Sequence, residues 1–202
     1  MNIDTIIFDL GGVLIDWNPR YMYSSIFRSS EAMDHFLTHV CTSEWNEEQD
    51  GGRSIAEATR ELTALHPQYR SEIEAFYGRW TGMLGGPIEE TVAILKTLHQ
   101  NSNHRLIALT NWSAETWPEA TARYSFLQLF EGILVSGVEK LKKPDPAIYR
   151  LLLERYEIDI TTAVFIDDNA RNVAAARALG LRSIQFENSN QLHQDLRSIG
   201  CL

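Results

Sequence analysis

TIIFDLGGVLIDW, residues Thr5 to Trp17, is an apolar run that meets a carboxylate at Asp9 and then turns at Gly11 and Gly12. Its first part, Thr5 to Phe8, is short and β-branched and reads as a buried strand with a charge at its exit. Similar runs recur at Leu106 to Leu109, Gly132 to Val135, Ala163 to Ile166 and Ser183 to Phe186. Helical patterns separate most of them, which predicts an α/β fold with a parallel sheet covered on both faces. The clearest helix opens at Asp145-Pro146 and carries Ile148, Leu151, Leu152 and Tyr156 at helical spacing. Another spans about Asn169 to Leu179 and stops at Gly180, a residue suited to a left-handed helix end.

The interval after the first strand breaks this rhythm. From about Asp16 to Met83 there is no convincing strand, and PRYMYSSIF, EAMDHFLTHV, SIAEATRELTAL and EIEAFYGRW read as helices. Polar or glycine-containing stretches such as NEEQDGGRS read as breaks between them. The pattern predicts a helical domain over 16–83 inserted into a core made of 1–15 and 84–202, with the chain returning near Leu84-Gly85-Gly86-Pro87.

Composition narrows the partners. The 202 residues, 44% of them hydrophobic, suffice for one substantial core with or without a small appended domain. A net charge of -9 with no run of Lys or Arg opposes nucleic acid and anionic membrane surfaces as partners. No apolar stretch approaches the roughly 20 residues that span a bilayer. Two cysteines, Cys41 and Cys201, and no secretory pattern at the start lead us to expect a cytoplasmic protein; the oligomeric state is not legible.

In a parallel sheet, ligands gather beyond the carboxyl ends of the strands. There the sequence places Asp9, Thr110-Asn111-Trp112-Ser113 and Asp167-Asp168-Asn169, with Lys142-Lys143-Pro144 ahead of the Asp145 helix. Adjacent acids at a strand end repel one another and call for a cation or a proton. Three converging carboxylates suit Mg²⁺, which also keeps waters and accepts a backbone carbonyl. The Thr110 hydroxyl, the Asn111 turn and the Lys143 ammonium suit an anion opposite it, and phosphate fits that set.

FDLGGVL, LTNWS, KKPDPAIY and FIDDNARN resemble the four ordered motifs of the haloacid dehalogenase superfamily of Asp-nucleophile hydrolases and phosphatases, over essentially the whole chain. The resemblance implies a doubly wound, three-layer core with sheet order 5-4-1-2-3, an all-helical cap in the insert, and Mg²⁺ as cofactor. It implies that Asp9 is the nucleophile, that Thr110 and Lys143 bind phosphate or intermediate, and that Asp168, supported by Asp167 directly or through water, binds the metal. The Gly11 carbonyl would complete the protein's share of the metal shell.

One position departs from the pattern. Many phosphatases of this superfamily carry a second Asp two residues after the nucleophile as general acid, and here that residue is Gly11. For a phosphatase the proton must then come from water or a cap residue such as Asp16, or the leaving group must need none; a general acid typically contributes about 10²–10⁴-fold. Sugar-1-phosphates, whose leaving oxygen is comparatively acidic, fit such a site, and the resemblance extends to a sugar-phosphate branch with glycine here. Attack by Asp9 on the carbon of a 2-haloacid needs no proton at all, but the paired acids of the fourth motif would repel that substrate's carboxylate. A catalytically weak binding protein on the same fold is the third reading.

The substrate side is less defined. Trp112, Asp16 and Arg20 are further candidates, and Trp17 lies between the last two. Trp45 with Asp50 and Gly51-Gly52 forms a segment that either reaches the site or packs, and packing is the simpler expectation for Trp45 and Trp117. Thr110-Asn111 reads equally well as a capping pair. His35 and His39, four apart near Glu31 and Cys41, read as the polar side of an amphipathic helix rather than a metal face.

Overall fold

The computed structural model describes residues 3–202; Met1 and Asn2, which open the expected core segment 1–15, lie outside the described residues. The chain runs β1 (Thr5–Phe8), β2 (Ile15–Trp17), α1 (Pro19–Tyr23), α2 (Ser30–His39), α3 (Ser43–Asp50), α4 (Ile55–Leu65) and α5 (Arg70–Gly78). It continues through β3 (Leu84–Pro87), α6 (Glu89–Asn101), β4 (Arg105–Thr110), α7 (Trp117–Arg123), β5 (Gly132–Val135) and α8 (Ser136–Glu139). The remaining elements are α9 (Pro146–Arg155), β6 (Ala163–Asp167), α10 (Ala170–Ala178), β7 (Arg182–Gln185) and α11 (Ser189–Ser198).

Five strands form one parallel sheet in the order β5-β4-β1-β6-β7. With the core strands numbered in chain order and read from the β7 edge, the order is 5-4-1-2-3, as expected. Strand β1 is central and buried on both faces, so side chains alternate between two layers. Ile6 and Phe8 join the cluster containing Leu95, Leu98, Leu192 and Leu196 of α6 and α11. Ile7 faces the other way, with Ile148, Tyr149 and Leu152 of α9 and Ala176 of α10. Asp145 and Asn169 cap α9 and α10, and Gly180 supplies the expected positive φ, +88°, beyond α10.

Between β2 and β3 the chain is helical, and aromatic side chains fill the insert: Tyr23 packs on Phe36 at 5.0 Å between centroids, and Trp45 on Phe76 at 5.1 Å. These rings belong to the same apolar cluster as the Ile6 and Phe8 face of the sheet. Ser29, Thr42 and Ser54 cap α2, α3 and α4.

Two expectations need correction. Ile15–Trp17 and Leu84–Pro87 are strands, paired antiparallel as a two-stranded ribbon at the two ends of the insert. Local propensity hides β3, whose sequence LGGP is poor in strand formers; pairing across nearly 70 residues makes it. The stretch NEEQD is not a break but the body of α3, and only residues 51–54 interrupt the helices. Its charged face does not look core-directed in sequence because it docks through polar contacts, Glu47 to Lys142 and Arg171 and the Asp50 carbonyl to Ser136.

Candidate active site

The carboxyl end of β1 delivers Asp9, and the neighbouring strand β6 ends in Asp167 with Asp168 following. Each of these three carboxylates offers an oxygen within 4.8 Å of the others. Lys143, in the loop before α9, is 1% exposed and ion-paired to two of them: its Nζ lies 2.9 Å from Asp9 Oδ2 and 2.6 Å from Asp167 Oδ2. The third ammonium proton goes to the Leu109 carbonyl at 3.0 Å. All three donors of Lys143 are therefore engaged, and the side chain is fixed.

Asp167 is saturated as well. Its Oδ1 accepts from the Asn169 amide and the Asn172 side chain, and its Oδ2 accepts from Lys143 and Asn172. A carboxylate held on both oxygens by protein donors serves to orient Lys143, whereas Asp168 is exposed to the cavity. Burial pushes the Asp9 carboxyl well above its ordinary range, with Asp167 and Asp168 adding to the rise and Lys143 opposing it. Burial also raises Asp168, reinforced by Asp167. For Lys143, burial pulls down, and the attraction of Asp9 and Asp167 overrides it and keeps the ammonium charged.

Such a set fits Mg²⁺. Asp9 and Asp168 are hard oxygen donors whose anionic forms burial and the neighbouring acids disfavour, so a cation between them would offset that cost, and Gly11 lines the same cavity. The Thr110 hydroxyl, fully buried at the end of β4, has no hydrogen-bond partner among the described residues, so its proton is available to a ligand oxygen. Gly12 is part of the same geometry. Its φ is +74°, and a Cβ there would stand 2.4 Å from Asp168 Oδ2. Gly12→Ala is therefore expected to destabilise the protein by about 1–3 kcal/mol in a urea titration; wild-type stability would show that this approach is not required. Gly11 differs, since a Cβ there meets no atom within 4 Å.

Asp9, Gly11, Gly12 and Asp168 open into a cavity of about 260 Å³, whereas Thr110, Lys143 and Asp167 lie buried behind its lining. Trp17, Trp80, Trp112 and Tyr77 provide aromatic surface, while Asn46, Asp50, Asn111, Ser113 and Thr116 provide polar groups. Asn111 is braced in place, exchanging two 2.9 Å hydrogen bonds with the backbone of Lys143. It therefore holds the lysine loop and does not cap α7, which begins only at Trp117. Asp16 and Arg20 do not line the cavity: the Tyr21 hydroxyl donates to Asp16 at 2.7 Å, and Arg20 pairs with Asp34 at 2.5 Å. Trp45 packs on Phe76 and Tyr77, and Trp117 packs on Trp112. His35 and His39 stack on each other 4.8 Å apart and are not part of the metal-competent group among the described residues.

Asn46, Tyr77 and Trp80 carry no motif, and nothing in the sequence singles them out. Asp50 does reach the cavity, at the end of α3. Burial raises its carboxyl to about 7, with Glu47 adding to the rise and Lys142 and the Ser113 amide opposing it.

A family model described as haloacid dehalogenase-like hydrolase matches residues 3–180. The sesquiterpene phosphatase astK of Aspergillus oryzae is 27% identical over 196 residues, covering 96% of this chain and 96% of that protein. A phosphoglycolate phosphatase of Photobacterium profundum is 26% identical over 187 residues, covering 87% of this chain and 80% of its own. Among solved structures, the magnesium complex of a haloacid dehalogenase-family enzyme from Bacteroides thetaiotaomicron superposes with a TM-score of 0.76 at 19% identity, over 98% of this chain and 100% of that one. The same enzyme is known in complex with magnesium and inorganic phosphate, with a TM-score of 0.67 at 21% identity over 93% and 96% of the two chains.

Proposed function

The chain belongs to the haloacid dehalogenase-like hydrolases, and from that premise we propose that it is a Mg²⁺-dependent phosphatase of a small phosphorylated metabolite. The observation that carries the reading is the buried Asp9 at a strand end, ion-paired to Lys143 on one side and set beside Asp168 on the other. Asp9 attacks phosphorus in line and forms an aspartyl-phosphate, which water then hydrolyses. Lys143, anchored by Asp167, holds the nucleophile and balances charge on the phosphoryl oxygens as Asp9 is phosphorylated. The Thr110 hydroxyl donates to one of those oxygens. Asp9, Asp168 and the Gly11 carbonyl are the groups that would hold Mg²⁺, with Asp167 acting behind them. When bound, the ion supplies charge neutralisation at the transferring group.

Asp168, which lines the cavity with Asp9, argues against the 2-haloacid reading, because it would face a substrate carboxylate. EDTA is expected to stop phosphate release and Mg²⁺ to restore it, read by a phosphate assay. Chloride release from 2-chloropropionate in EDTA would contradict the assignment.

For the substrate we infer a sugar phosphate. The cavity is lined by indoles, which suit the C–H surface of a sugar ring, and by amide, hydroxyl and carboxyl side chains, which suit its hydroxyls. A terpenoid monophosphate is the second reading, favoured by the near-full-length similarity to a sesquiterpene phosphatase and by the same indoles. A panel of hexose phosphates, farnesyl phosphate and phosphoglycolate, ranked by kcat/KM, separates them; preference for farnesyl phosphate would replace the sugar assignment. Residues 16–83 are assigned as a cap closing on a core of 1–15 and 84–202, with the β2–β3 ribbon as its neck.

A further inference from the structure

Phosphoryl transfer from an alcohol to Asp9 leaves an alkoxide, and Gly11 has no side chain to protonate it. Four titratable side chains line the cavity among the described residues: Asp9, Asp50, Tyr77 and Asp168. Asp9 is the nucleophile, and Asp168 stands in the acidic cluster beside Gly12. Tyr77 has one proton, directed at Asn46 Oδ1 and Gln49 Oε1, and burial drives its phenol far above the ordinary range. We propose that Asp50, on the cap helix α3, is the general acid for the leaving oxygen and afterwards the general base for the attacking water. This rests on the phosphatase reading above.

The structure holds Asp50 for that task from several sides. The Asn46 amide donates to Asp50 Oδ2 at 3.2 Å, and Asn46 in turn accepts from Tyr77 at 3.0 Å. The Ser113 backbone amide is a second donor to this carboxyl and fixes it against the loop after β4. The Ser136 hydroxyl donates to the Asp50 carbonyl at 2.5 Å and accepts from the Trp112 amide at 2.9 Å, which ties the end of α3 to the loop beside Thr110. Glu47, one turn back, pairs with Lys142 at 3.2 Å and Arg171 at 3.0 Å on two core segments. A carboxyl at a helix C-terminus also meets the negative end of the helix dipole, which favours its neutral form. The charged or titratable groups around it are Glu47 on its own helix, Tyr77 on α5, Lys142 before α9, and Asp9 and Asp168 across the cavity.

In the first step an Asp9 oxygen bonds to phosphorus, the bond from phosphorus to the ester oxygen breaks, and the Asp50 proton passes to that oxygen to give the free alcohol. In the second, Asp50 as carboxylate takes a proton from water, the water oxygen bonds to phosphorus, and the Asp9–phosphorus bond breaks. Phosphate leaves, and both carboxyl groups return to their starting states.

The test compares a poor leaving group with a good one. For Asp50→Asn, the ratio of kcat/KM for an alkyl phosphate to kcat/KM for p-nitrophenyl phosphate is expected to fall by roughly 10²-fold or more. Wild-type kcat/KM on the alkyl ester should decline as pH rises through about 7, where Asp50 ionises, and Asp50→Asn should lack that limb. Adding Gly11→Asp to Asp50→Asn should recover the ratio, since the Cβ has room. An unchanged ratio in Asp50→Asn overturns the proposal. A readout independent of turnover is stability. Protonated Asp50 contributes fully below pH 3.8 and loses that contribution as pH rises towards about 7, so the Tm of Asp50→Asn relative to wild type should climb across that window. A flat difference also overturns it. If the wild type releases phosphate from neither ester, the phosphatase reading fails and this proposal with it.

Discussion

Asp9→Asn is expected to lower phosphate release by on the order of 10⁴-fold or more while the protein stays folded. The amide has no lone pair nucleophilic enough to attack phosphorus, so loss of the covalent step removes the route and not merely a contact. Folding should survive because the amide oxygen can still accept from Lys143 Nζ, and Lys143 retains Asp167 and the Leu109 carbonyl. The amide also relieves a carboxyl that burial and two neighbouring acids disfavour. Phosphate release and a thermal melt, run on the same preparation, check both halves. Activity within tenfold of wild type would contradict the role of Asp9.

Lys143→Met is expected to damage stability as well as activity. Lys143 and Asp167 are both fully buried as side chains, and removing the cation strands Asp167 with Asp9 beside it. Breaking a buried pair by deleting one partner costs roughly 3–5 kcal/mol. That is a large share of the roughly 5–15 kcal/mol by which domains are stable. Urea unfolding should show it. The double variant Lys143→Met, Asp167→Asn removes the stranded charge, and its stability should recover while phosphate release does not. Recovery of both would mean that the lysine acts only as a structural counter-ion.

The central strands were legible because a parallel strand buried on both faces reads as a continuous apolar run, as in Thr5 to Phe8 and Ala163 to Ile166. The strand order came from family resemblance, since no local signal in β7 says that it pairs with β6. The ribbon was illegible because Leu84–Pro87 is a strand only by virtue of a partner nearly 70 residues away. The polar helix α3 was hidden for a related reason: much of its docking is polar, through Glu47 to Lys142 and Arg171 and through Asp50 to Ser136, so it lacks a continuous apolar stripe.

At the site, the repulsion between Asp167 and Asp168 correctly signalled a missing cation. The cation beside Asp167 is the Lys143 ammonium, and Asp168 is the acid that faces the cavity. Asp16 looked close to the crevice in sequence but is held by Tyr21, whereas Asp50, more than 30 residues later, lines the cavity. Which helix end faces the sheet depends on the packing of the whole insert, and that packing leaves no trace in the spacing of residues around Asp50.

Rapid acid quenching during turnover with Mg²⁺ tests the covalent step directly. Peptide mass mapping should find one phosphoryl group on the peptide that carries Asp9, and none in Asp9→Asn. Phosphate released by the wild type with no phosphoryl group on that peptide at any quench time, or with the group on another residue, would contradict it.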